Sequence, residues 1–169
     1  MEIILRDIEL KLLAELMRNC RRSDRELAKI LHISQPTASR IRIKLEKEDM
    51  INYCGQPNLA KLGYEIIAVT LGKRNYEKHP ENLIEKAREF VEKHPNLIFT
   101  SDGMGLGFDL IGISVHKNFT EYEKFRNELA MEAGEAATSD SFLVSLNSKG
   151  IVQYLSFKRF GEQLVREKS

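Results

Sequence analysis

The most constraining stretch of the chain is residues 23–47, where two short helices must start a fixed distance apart. Ser23-Asp24-Arg25-Glu26 places a glutamate three residues after a serine, a reciprocal cap that opens a helix. That helix carries Leu27, Ala28, Ile30 and Leu31 and stops at His32-Ile33. Ser34 then caps a third helix, and Pro36 fits its first turn, where no intrahelical N–H bond is lost. This helix turns Ala38, Ile41 and Leu45 inward and continues to about Glu48. Helices that cross steeply through a tight turn need small or apolar residues where they touch. Ala28 and Ala38, with Ile33 in the turn, supply them. Before them, Leu5, Ile8, Leu12 and Leu16 form a helical stripe with Leu13 and Met17 beside it. The spacing predicts a helix-turn-helix.

Charge gives this motif a partner. Net charge over the 169 residues is only +1. Between Arg18 and Lys47, however, nine basic side chains stand against three acidic ones, a local +6 that leaves −5 on the rest of the chain. Binding of double-stranded DNA needs such a local basic face rather than a basic protein. Ser34, Gln35, Thr37, Ser39 and Arg40 lie in the first turns of the third helix, where base edges are reached. Arginine can bond guanine bidentately, glutamine adenine, and a threonine methyl can touch that of thymine. Arg42, Lys44 and Lys47 further along, and Arg21, Arg22 and Arg25 before and within the second helix, are expected to hold phosphates.

After Asp49 the pattern changes. Met50 to Tyr53 reads as extended, and Gly55-Gln56-Pro57-Asn58 as a turn or linker. Strands are expected over 64–71, 97–100, 108–115, 142–146 and 151–157. A helix opened by Pro80 would bury Leu83, Ile84, Ala87, Phe90 and Val91. A second, capped by Thr120 with Glu123, would bury Tyr122, Phe125 and Leu129. A short helix is expected over 160–168. The order is β-α-β-β-α-β plus one extra strand, the split βαβ plan of a ferredoxin-like domain. The fold class expected is therefore α+β: a helix-turn-helix (winged-helix-like) domain over 1–52, an extended linker over 53–62 and a ferredoxin-like βαββαβ domain over 63–169.

At this point the chain resembles the Lrp/AsnC family of regulators. The resemblance is carried by residues 7–13, Glu26-Leu27-Ala28-Lys29, Ile33-Ser34, Lys44-Leu45-Glu46, Ile51, Tyr53 and Leu62-Gly63-Tyr64, then by His94-Pro95-Asn96-Leu97 and Gly107-Phe108-Asp109-Leu110. It covers roughly residues 4–146. The stretch 34–41 alone would also suit winged-helix families such as MarR, and the following βαββαβ pattern is what favours Lrp/AsnC. His32 and Asp49 stand where the family usually has glycine, Arg42 where an apolar residue is common and Ile43 where a basic one is. The tail after Asn147 is longer than the family pattern. The resemblance implies a sequence-specific transcriptional regulator, not an enzyme. It would dimerise through its sheet, assemble into tetramers or octamers, and bind an amino acid or similar effector near the glycine turn. Gly103, Gly105 and Gly107 would offer backbone N–H groups to a carboxylate, and Asp109 would take an amino group.

Other chemistry is thinly represented. The glycine loop 101–109 matches no Walker motif and does not open a helix; taken alone it reads as a flexible hairpin. His32, His79, His94 and His116 lack ligand spacing, so neither a metal site nor a cofactor is expected. No nucleophile elbow or cysteine–histidine pair suggests a catalytic residue. Cys20 and Cys54 fit two reduced thiols of a cytoplasmic protein. No signal peptide or membrane span is read. Two alternatives remain open. One is an enzyme similar to siroheme decarboxylases, built on the same two-domain plan, in which His79, His94 or His116 would matter. The other is a sensor or assembly module whose DNA-binding half is vestigial.

Overall fold

The computed structural model describes residues 4–78, 83–153 and 155–167, and of Leu83 the backbone alone. His79, Pro80 and the side chain of Leu83, all named above, lie outside the described residues. The chain divides into two compact units, Met1–Gln56 with Val152–Ser169, and Pro57–Ile151.

The first unit is helical. α1 (Asp7–Arg18), α2 (Asp24–Leu31) and α3 (Gln35–Lys47) enclose a core of Leu5, Leu10, Leu12, Leu13, Leu16, Leu27, Ala28, Ala38, Ile41 and Leu45. Leu12, Leu16, Leu27 and Leu45 are fully buried. Burying a leucine of this kind stabilises the fold by about 1.5–3 kcal/mol. The α2 cap is reciprocal as expected: the Ser23 backbone N–H donates to Glu26 Oε2 at 2.7 Å, and the Glu26 N–H donates to Ser23 Oγ at 3.3 Å. His32 ends α2 at φ 52°, and Asp49 follows α3 at φ 51°. Both glycine-type positions thus adopt the left-handed region that histidine and aspartate tolerate at some cost. Residues 50–57 form no strand. Of the apolar residues of α2, Leu27 and Ala28 are buried and Ile30 is 43% exposed.

The second unit runs β1 (Ile66–Arg74), α4 (Leu83–Lys93), β2 (Leu97–Gly105), β3 (Phe108–His116), α5 (Phe119–Ala133) and β4 (Ala137–Ser145), preceded by a 3-10 turn at Ala60–Leu62. The sheet order is β2-β3-β1-β4 with every pairing antiparallel. This is the expected βαββαβ arrangement. Several expectations are corrected in detail. β2 continues to Gly105, and the glycine turn shrinks to Leu106-Gly107, both at positive φ, the geometry of a type I′ hairpin. The cap of α5 is Asn118, whose Oδ1 accepts the Glu121 N–H at 2.9 Å, rather than Thr120. β4 begins five residues before the expected Phe142, because its first half is polar and lacks the alternation that marks a half-buried strand. On α4, Phe90 is buried but Ile84 and Ala87 are exposed.

The expected last strand over 151–157 is absent among the described residues. The chain instead forms α6 (Lys158–Arg166), which packs on α1 within the first unit. The assignment of 63–169 to one domain is therefore corrected: its last residues belong with the helix-turn-helix. The physical reason is a close helix contact. Gly161 is buried, and a Cβ there would meet Ala14 O at 3.2 Å and Met17 Cβ at 3.3 Å. Arg18 joins α1 to α6 through Glu162 at 3.3 Å.

The two faces of the sheet differ. Ala68, Thr70, Ser114 and His116 are buried, and the His116 ring lies 5.2 Å from that of Phe125 on α5. The opposite face carries Val69 paired with Ile113 and Phe142, Leu71 with Ile111, and Ile67 with Val115 and Val144. No described helix of this unit covers it, and Phe142 and Phe99 are large exposed rings at its margins.

Candidate nucleic-acid interface

α3 is oriented by its inward residues. With Ala38, Ile41 and Leu45 in the core, its first turns present Gln35 and Arg40 to solvent and Ser39 partly so. Ser34 and Thr37 serve the cap: Ser34 Oγ accepts the Thr37 N–H at 3.3 Å, and the two hydroxyls lie 2.8 Å apart.

The basic residues separate into two sets. Four of the nine are neutralised within the unit. Arg18 and Arg22 both pair with Glu15. Arg42, only 19% exposed, pairs with Asp24 at 2.7 Å and donates to the Arg22 carbonyl. Lys44 reaches Glu9 at 3.0 Å. Arg21, Arg25, Lys29, Arg40 and Lys47 are exposed and take part in no ion pair among the described residues. Arg22, Arg42 and Lys44, of which a phosphate role is expected, are thus engaged in ion pairs that hold helices together. Sequence spacing could not show this, because the partner carboxylates of Arg42 and Lys44 come from other helices.

Glu9 is the hub of that arrangement. Its side chain is fully buried. It accepts from the Arg6 guanidinium at 2.7 Å, the Arg6 N–H at 2.9 Å and Lys44 at 3.0 Å. These donors, the Arg6 side chain foremost, hold its carboxyl down at about 2 against the opposing effect of burial. After α3, Tyr53 donates to Glu46 at 2.8 Å; burial first and this carboxylate second push its hydroxyl up to about 12.

The glycine-turn candidates sit elsewhere, in the second unit. Gly103 and Gly105 lie on β2 and Gly107 at the hairpin tip. Asp109 already accepts from the Arg74 N–H at 3.1 Å and the Tyr76 hydroxyl at 2.9 Å, while Arg74 pairs with Asp102. A separate cleft of about 1120 Å³ opens on the helix-covered side of the sheet, lined among others by Thr70, Phe90, Leu110, Phe125, Lys86 and Arg126. None of the glycine-turn residues or Asp109 lines it.

Two of the described histidines, His94 and His116, have their rings held by neighbouring groups. His94 stacks on Phe90, bonds its carbonyl through Nδ1 at 2.7 Å and reaches Glu128 through Nε2 at 2.9 Å. His116 is buried with Ser114 Oγ 2.8 Å away; burial pushes its pKa below the usual histidine value, against a smaller upward pull from Glu121. Among the described residues no group of three His, Cys, Asp or Glu is placed to hold a metal, and no helix is long and apolar enough to cross a membrane. Cys20 and Cys54 are both free and exposed.

Comparison with known proteins agrees with this geometry. Residues 7–44 match the model of the AsnC-type helix-turn-helix domain. No curated protein sequence matches the chain. Among solved structures, a transcriptional regulator from Neisseria meningitidis in complex with L-Met superposes with a TM-score of 0.75 at 17% identity, covering 93% of this chain and 99% of that one. LrpC of B. subtilis gives 0.71 at 19% identity, over 89% of this chain and 100% of its own. AsnC of E. coli gives 0.72 at 14%, over 90% and 99%. α1 to α3 therefore form an AsnC-type helix-turn-helix domain, and the chain as a whole has the fold of the Lrp and AsnC regulator structures.

Proposed function

We propose that this chain is a sequence-specific DNA-binding transcriptional regulator of the Lrp/AsnC type, working as a homodimer or higher oligomer and tuned by an amino acid or similar small molecule. One observation carries the DNA-binding reading: Gln35 and Arg40 stand exposed and Ser39 partly so at the start of a helix locked by its opposite face, with Arg21, Arg25, Lys29 and Lys47 of the same unit in no ion pair among the described residues. Arg40 and Gln35 would meet base edges and the other cations phosphates. Arg22, Arg42 and Lys44 support the site from within.

Self-association is supported by the uncovered apolar sheet face centred on Val69 and Ile113. A patch of that kind costs solvation unless another surface covers it. A twofold dimer would read two half-sites about 34 Å apart. The amino-acid effector extends this reading to the second unit. One structural relative was solved with L-Met. Here the backbone N–H groups of Gly103, Gly105 and Gly107 would receive the carboxylate, since Asp109 already serves Arg74 and Tyr76. The hydrogen bonds of His94 and His116 speak against a tetrapyrrole ligand at those rings.

Gel shifts with genomic fragments, the protein's own promoter among them, test the reading. Saturable binding to a subset of fragments is the expected result. A chain that binds no fragment, or all equally, is not a sequence-specific regulator. Melting temperatures measured with each of the twenty amino acids check the effector; a rise with one or a few is expected, and no rise with any would remove that part.

A further inference from the structure

α3 reverses the usual disposition of polar and apolar side chains at one point. Arg42 turns inward to Asp24 and the Arg22 carbonyl, whereas the next residue, Ile43, is 46% exposed. Ile43 lies two positions, about 200°, round the helix from the buried Ile41. It therefore sits near the middle of the outward face, opposite Ala38, Ile41 and Leu45. Pro36, Arg40, Ile43 and Lys47 follow one another on this face at spacings of three and four residues. A β-branched apolar side chain here gains nothing from the core and is a modest helix former. Its use lies in whatever covers the outward face.

The flanking residues say what that is. Arg40 precedes Ile43 on the stripe and Lys47 follows it, and neither is in an ion pair among the described residues. A surface suited to this pattern has anions at its margins and an apolar point between them. The major groove of double-stranded DNA has this chemistry: phosphates along its edges and, on its floor, the 5-methyl group of thymine. We propose that Ile43 is a specificity-determining residue that reads a thymine by packing against its 5-methyl group. The proposal rests on the DNA-binding reading above and adds to it a base and a contact.

The test uses the full chain and a duplex selected by it from a randomised library. Each thymine of the selected site is replaced in turn by deoxyuridine, which removes only the methyl group. Uracil at one position per half-site should weaken wild-type binding by roughly three- to tenfold, the scale of a single apolar base contact. In Ile43→Ala that difference between thymine and uracil should vanish at the same position and persist elsewhere. Ile43→Ala should melt with the wild type, since the side chain is half exposed and lies outside the core, so a folding defect is separable. If uracil is tolerated at every position, or if Ile43→Ala keeps the full thymine preference, the assignment of Ile43 is overturned while DNA binding stands. If the substitution changes only the oligomeric state, the side chain is covered by a second copy and the assignment again falls. If the chain selects no sequence, the regulator reading fails and takes this inference with it.

Discussion

Arg40 and Arg42 are two residues apart on one helix and have opposite surroundings. Arg40 faces outward with no carboxylate paired to it among the described residues; Arg42 is mostly covered and bound to Asp24. Arg40→Ala should weaken binding to a selected operator by about 1–3 kcal/mol and relax preference at one base position. Titration of operator variants by fluorescence anisotropy measures it, and an unchanged specificity profile would place the recognition surface elsewhere. Arg42→Ala should act on folding instead. It strips Asp24 of its partner, and a loss of about 1–3 kcal/mol in urea unfolding is expected. If Arg42 were only a surface cation that binds phosphate, the substitution would leave that midpoint where it was. His116 provides a pH signature. Burial depresses its pKa, so the unfolded chain takes up the proton first as pH falls. The stability it contributes is complete above about 6.5 and declines as pH drops from there through the depressed folded value. His116→Gln should flatten this part of the stability profile; an unchanged slope would assign it to another group.

Among the elements, α6 shows what sequence periodicity conveys and what it hides. A helix near 160–168 is legible because Phe160, Leu164 and Val165 recur at helical spacing. Its destination is not, because nothing local distinguishes packing on α1 from packing on the sheet. The cue was Gly161, a poor helix former that makes sense only where another backbone comes close. Gly161→Leu should lower the stability of the first unit by about 1–3 kcal/mol through overpacking against Ala14 and Met17. Thermal unfolding followed by circular dichroism reads it, and an unaltered midpoint would mean the contact is loose. The helix-turn-helix was the most legible part, since its two serine caps, Ala28 and Ala38 follow from residue type and spacing, while the positive φ of His32 and Asp49 was implied only by the family resemblance. The βαββαβ order was legible too, through alternating strands such as 108–116. The strand expected over 151–157 misled because a short apolar run satisfies strand and loop alike. In the candidate site, exposure of Arg40 followed from the inward triad. The withdrawal of Arg22, Arg42 and Lys44 did not, because ion pairs across helices leave no periodic trace.

For the molecule as a whole, counting unpaired cations bounds its response to salt. Among the described residues five cations of the helix-turn-helix are in no ion pair, so a dimer using all of them would neutralise about ten phosphates. The slope of log K against log salt should then be no steeper than about −9. A clearly steeper slope would show that basic residues outside this motif, or more than two protomers, engage the duplex. The uncovered sheet face belongs to the same scale. Ile113→Lys should shift the assembly toward monomer in sedimentation velocity, with circular dichroism confirming the fold. An unaltered sedimentation coefficient would remove that face from the interface. One last consequence follows from α6 returning to α1. The chain passes between its two units twice, near Gln56 and near Ile151, and the first unit is completed by non-contiguous segments. A protease that cuts only within residues 53–57 therefore severs the backbone without severing the unit. The two fragments should part on a denaturing gel yet co-elute in native gel filtration, held together by the contact of Gly161 with Ala14 and Met17.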